Sequence, residues 1–187
     1  MNNLWYLIRH GETDWSLVEK YSLPLALNNY VPLTDKGKKQ IESSSSYKAL
    51  KTASIIISSP FTRALESACV LSKHLNIPLK VEYLLHERIL DKNFGNYSPR
   101  EIIGLCDEYS EAVSRGELER NHPWESFSEI RDRVLPVFSR YSVPVGIAVC
   151  HEYVIKSITG LPEIPLGGIV ETRFLGSHFQ FPRLVYP

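Results

Sequence analysis

Neither charge is in surplus in this chain: 21 Lys and Arg stand against 21 Asp and Glu in 187 residues. Proteins that grip nucleic acid or an anionic membrane surface need a basic excess, so neither partner is expected. A small anionic ligand stays open, because it needs positive charge only locally. Cysteine is scarce: Cys69, Cys106 and Cys150. An odd number at wide spacing makes a poor disulfide framework and suggests a reducing compartment. No CxxC pair offers a thiolate zinc site. Long apolar runs are missing too, and the first, residues 4–8, is too short for a secretory signal or a membrane span. A cytoplasmic chain is the expectation, and there the sequon Asn96-Tyr97-Ser98 would go unused.

What remains is an ordinary globular composition, 43 % apolar and 22 % charged, at a length that favours one domain over residues 1–187. No repeat or linker interrupts it. Apolar runs predict strands over 4–8, 53–57, 79–83 and 145–149. Between them, Thr34 caps a helix expected to reach about residue 50, although the serine run 43–46 forms helix poorly. Residues 60–76 place Phe61, Ala64, Leu65, Ala68, Leu71 and Leu75 on one helical face. Pro99 opens a helix to about 115. Ser126 and Glu129 make a capping-box signature before another, which contains Pro136. A helical segment to 159 follows, and 169–186 read as two strands turning near Gly176-Ser177. Alternating strands and helices imply a three-layer α/β/α fold with a mostly parallel central sheet.

Ligands of such sheets sit beyond the carboxyl ends of the strands. Arg9-His10 ends the first strand, Ser58-Ser59-Pro60 the second with Arg63 one turn later, and His151 the last. Arginines and histidines around one point suit a phosphoryl group, since guanidinium forks match its oxygens. A neutral imidazole with one nitrogen held and the other free can attack phosphorus. Gly11 lets the backbone approach a ligand closely. A carboxylic acid is then needed to protonate the leaving oxygen.

These residues lie in strings that resemble the histidine phosphatase superfamily, which includes phosphoglycerate mutases. "LIRHGETDW" resembles its signature. In order along the chain come "PLTDKGKKQ" (32–40), "IISSPFTRALESA" (56–68), "LLHERILDKNFG" (84–95), "ESFSEIRDRV" (125–134) and "IAVCHEYVIKSITG" (147–160). The resemblance implies His10 as the nucleophile, with Arg9, Arg63 and His151 binding the phosphoryl oxygens. It implies Glu87 as proton donor and later base, with Thr13 and Ser16 near the substrate. No metal or organic cofactor is required. The implied activity is hydrolysis of a small phosphorylated metabolite. A phosphoglycerate-type mutase is one alternative, and a phosphate-binding domain with little or no turnover is another. Oligomeric state is not legible.

Some positions depart from the pattern. Ser16 replaces an Asn, Tyr30 an Asp, and "NYSPREI" stands where Trp-Glu-Gly is usual. Glu152 replaces the Gly after the second histidine, so either this carboxylate points away or pairs with an arginine, or the activity is weak. The expectation is a retained phosphoryl pocket and a rebuilt leaving-group pocket. Simpler readings stand beside these. Ser126 serves only as an N-cap, Thr13 only satisfies backbone, and Glu82, Asp91 or Glu101 replaces Glu87 as the acid. His74, His86, His122 and His178 read as surface or partly buried structural residues. Neither "HERIL" nor "HEYVI" completes HExxH, which excludes a zinc protease. Cys150 and Lys156 mimic the spacing of cysteine phosphatases, but lysine lacks the bidentate fork and Val149 stands in place of their histidine.

Overall fold

The structure, a computed structural model, describes residues 3–117 and 123–186; His122 lies outside them. Its centre is a sheet of six strands: β1 (Asn3–Arg9), β2 (Ile56–Ser58), β3 (Leu79–Val81), β4 (Val145–Cys150), β5 (Ile169–Phe174) and β6 (Phe179–Tyr186), in the order β3-β2-β4-β1-β5-β6. β1 to β4 run parallel, β5 lies antiparallel to β1, and β6 antiparallel to β5. This is the expected three-layer α/β/α arrangement.

The parallel strands are buried on both faces, which explains why their sequences are apolar without alternation. Side chains of successive residues still divide between two cores. Trp5, Leu7, Ile57, Ala148, Cys150 and Val170 meet the helices α5 (Phe127–Ser139) and α6 (Glu152–Thr159) on one face. Tyr6, Ile8, Ile56, Ile147, Val149 and Ile169 meet α2 (Asp35–Ser45) and α3 (Thr62–Leu75) on the other. Trp5 is completely buried and packs edge-on to Phe138 at 4.9 Å.

Caps fix the helix starts. Ser98 with Glu101 closes a capping box on α4 (Pro99–Arg115), and Ser126 with Glu129 closes another on α5. α5 continues through Pro136. α2 stops at Ser45 rather than near residue 50, and a 3₁₀ turn, Lys48–Thr52, takes over. The serines account for the early end: the hydroxyls of Ser44, Ser45 and Ser46 bond the carbonyls of Gln40, Glu42 and Ser43, competing with the helical ladder. Sequence patterning also missed a short helix, α1 (Ser16–Tyr21), and a 3₁₀ turn, Leu25–Tyr30, neither of which buries any residue.

Candidate active site

Parallel pairing brings the site together. Arg9 pairs with Cys150 and Ser58 with Val149, so the next residues along each strand, His10, Ser59 and His151, emerge side by side. Two backbone bonds extend the ladder past the strands: His10 N–H donates to Cys150 O and Ser59 N–H to Val149 O. The rings of His10 and His151 are 5.1 Å apart.

His10 is buried, and its Nδ1 lies 2.7 Å from its neighbour's carbonyl, Gly11 O. A carbonyl only accepts, so Nδ1 carries the proton and Nε2 presents its lone pair. Arg63, in the first turn of α3, donates its Nε–H to that lone pair at 3.3 Å. Burial, reinforced by the Arg63 charge, holds the His10 imidazole well below its ordinary pKa, against the Gly11 bond and with a smaller push from Arg9. Burial likewise lowers His151, with Arg63, His10, His86 and Arg133 adding to it. Both imidazoles are therefore neutral near pH 7. His151 Nε2 is 2.8 Å from Ser59 Oγ, while its Nδ1 is buried without a partner. Burial also brings Arg63 down to about 10, opposed by Glu87, which leaves it cationic at neutral pH.

The second motif braces the first. A Cβ on Gly11 would sit 2.3 Å from Gly37 O, and one on Gly37 would sit 2.2 Å from Glu12 O. The glycine beside His10 is thus required by backbone packing against the start of α2. Thr34 caps α2 through Gly37 N–H and also donates to the Glu12 carboxylate. Gln40 Oε1 accepts from Glu12 N–H at 2.8 Å. Ser67, one turn beyond Arg63, accepts from Gly11 N–H and donates to Arg63 O, tying the strand of His10 and the helix of Arg63 together.

A buried ion pair holds the loop that carries Glu87. Glu125 and Arg133 meet through two bonds, of 2.6 and 2.9 Å. Arg133 also donates to the carbonyls of Leu84 and Glu87, and Glu125 accepts from Ile89 N–H. Glu87 itself accepts from Arg88 N–H, and its charge is felt at Arg63. The other candidate acids are committed elsewhere. Glu82 pairs with Arg140 and Tyr141, Asp91 holds the backbone N–H groups of Asn93 and Gly95, and Glu101 belongs to the α4 cap.

The remaining expected residues divide. Thr13 is buried with its hydroxyl unpartnered. Ser16 is exposed, and its hydroxyl bonds Asp14. Arg9 spends Nη1 on Ile164 O at 2.6 Å and Glu152 at 2.9 Å. His74 and His178 are exposed, but His86 is buried between the rings of Phe61 and Tyr83, close enough to contribute to the lowering of His151. Only the position of His86 beside Glu87 hinted at that. Cys150 is fully buried and its thiol is pushed up to about 12 by burial, which makes it inert rather than nucleophilic.

Comparison with known proteins bears on the family and the fold. The profile of the histidine phosphatase superfamily, branch 1, matches residues 5–169. A Bacillus subtilis protein described as an uncharacterized phosphatase, PhoE, is 33 % identical over 73 residues, which make up 39 % of this chain and 36 % of that protein. Bacillus stearothermophilus YhfR superposes with a TM-score of 0.72 at 21 % identity, covering 98 % of this chain and 96 % of that one. A mycobacterial glucosyl-3-phosphoglycerate phosphatase gives 0.68 at 18 % identity, covering 100 % and 98 %. Those two likenesses speak for the fold, and the profile match over most of the length settles the relationship: this chain belongs to the histidine phosphatase superfamily, branch 1.

Proposed function

We propose that the protein hydrolyses phosphomonoesters of small metabolites through a phosphohistidine on His10. One observation carries the reading. His10 offers an unprotonated Nε2, fixed by the bond at Nδ1, at 3.3 Å from a buried guanidinium. A phosphoryl group entering between them meets a nucleophile and a charge partner together.

In the first step the Nε2 lone pair forms the N–P bond as the bond from phosphorus to the leaving oxygen breaks. Glu87, in its acid form, gives that oxygen a proton. Arg63 takes the charge that gathers on the equatorial oxygens. Ser59 donates to His151 Nε2, leaving the buried Nδ1–H for a phosphoryl oxygen. Arg9 contributes positive charge from the rim. In the second step water attacks phosphorus, Glu87 as carboxylate accepts its proton, and the N–P bond breaks to release phosphate and neutral His10. The names of PhoE and of the mycobacterial phosphatase support hydrolysis over mutase chemistry.

A second reading, a phosphate-binding domain with little turnover, is favoured by the engagement of Arg9 with Glu152. A panel of phosphorylated metabolites, assayed for released phosphate with His10→Ala as control, separates the two. Turnover that His10→Ala abolishes supports the hydrolase. Bound phosphate without turnover of any ester supports the binding domain.

A further inference from the structure

Glu152 opens α6 directly after His151. Its Oε2 lies 2.9 Å from Arg9 Nη1 and its Oε1 lies 2.6 Å from Lys156 Nζ. The three side chains are each about one-fifth exposed or less, at 22 %, 19 % and 15 % for Arg9, Glu152 and Lys156. At that depth solvent screens their charges only in part. Two cations and one anion leave a single net positive charge beside the pocket. Arg9 does not need Glu152 for its orientation, because Ile164 O already holds the same Nη1 at 2.6 Å. What the carboxylate adds is negative charge 2.9 Å from the guanidinium that Arg9 would offer to an anion.

We propose that Glu152 acts through Arg9 by offsetting its charge, so that the pocket binds phosphoryl dianions, substrate and product alike, more weakly than its arginines alone would allow. The idea rests on the phosphohydrolase reading and deepens it. Weak ground-state binding of this kind raises KM without removing an interaction made only in the transition state. Such a pocket gives up inorganic phosphate readily after each turnover. Lys156 belongs to the same device: it draws on the other oxygen of Glu152 and keeps the carboxylate from neutralising Arg9 completely.

The test uses the full chain, with inorganic phosphate as ligand and p-nitrophenyl phosphate as substrate. Glu152→Gln keeps the shape and an acceptor for Arg9 while removing the charge, and Glu152→Gly removes the group altogether. In both variants the calorimetric Kd for phosphate is expected to fall about three- to tenfold, with KM falling alongside and kcat unchanged or lowered by less than about twofold. In an Arg9→Met background the Glu152→Gln gain is expected to vanish, because the charge that Glu152 restrains is gone. An unchanged phosphate Kd in both Glu152 variants overturns the proposal. So does an equal gain in the Arg9→Met background, which would mean direct repulsion of the ligand. The phosphate Kd is measurable without turnover, so a chain that binds phosphate but hydrolyses nothing sinks the hydrolase reading while still deciding the role of Glu152.

Discussion

Residues 9–13 and residues 14–30 follow one another in the chain, yet they are held in opposite ways. In the first stretch His10, Gly11 and Glu12 each give a backbone N–H to a distant partner, and Thr13 bridges to Leu33. In the second, α1 and the 3₁₀ turn bury nothing, and Trp15, Tyr21, Leu27 and Tyr30 are exposed. A thread joins them: Arg63 Nη1 donates to Asn28 O at 3.3 Å, and its guanidinium lies 5.4 Å from the Trp15 ring. Residues 10–12 are each tied to a distant part of the fold through their backbone. The departures Ser16 and Tyr30 fall where little depends on them for folding. The cluster around His10 and the surface beside it thus draw their stability from different contacts.

Substitutions sharpen that contrast, beginning with the largest effect. Glu125→Gln leaves Arg133 charged in a buried site, with side chains only 7 % and 13 % exposed, and should cost about 3–5 kcal/mol. Urea denaturation reads the loss, and phosphatase activity should drop as well, since the pair fixes the loop of Glu87. Arg63→Ala should reduce kcat/KM by about 10²–10³-fold through lost charge stabilisation, with a small change in melting temperature. A drop of less than tenfold would show that Arg63 is only a packing residue.

Acid gives an intermediate effect. His10 and His151 fold with pKa values well below the ordinary 6.5. Below pH 6.5 the unfolded chain binds protons that the folded chain refuses, so stability falls as pH falls. Between pH 6.5 and 5.5 the two groups together should remove about 2 kcal/mol, with His86 acting in the same direction. Denaturation midpoints at the two pH values, in the wild type and in His10→Asn, measure the share of His10. Ser16→Ala should do least, changing stability by under about 0.5 kcal/mol and leaving the phosphate Kd untouched. A large loss there would erase the distinction between the two stretches.

The sheet, its two cores and the convergence of His10, Arg63 and His151 were legible in the sequence because short apolar strands ended on chemically distinctive residues. The serines of α2 were visible as weak helix formers, but where their hydroxyls would end the helix depended on carbonyls one turn back. α1 and the turn at 25–30 left no periodic signal, since neither has a buried face. Gly11 reads from the sequence as room for a ligand, and its packing against Gly37, 26 positions further along, left no local signal. The partner of Glu152 was open between solvent and an arginine, and only the meeting of β1 with the start of α6 resolved it. His86 read as an ordinary histidine until Phe61 closed over it.

In the proposed reaction His10 Nε2 becomes bonded to phosphorus. Rapid mixing with p-nitrophenyl phosphate, alkaline quench and peptide mass mapping test it most directly. One phosphoryl group, stable in base and lost in acid, is expected on the peptide containing His10 and absent from His10→Ala. Multiple-turnover hydrolysis with no phosphoryl group on His10 at any mixing time, or with the label on another residue, would contradict it.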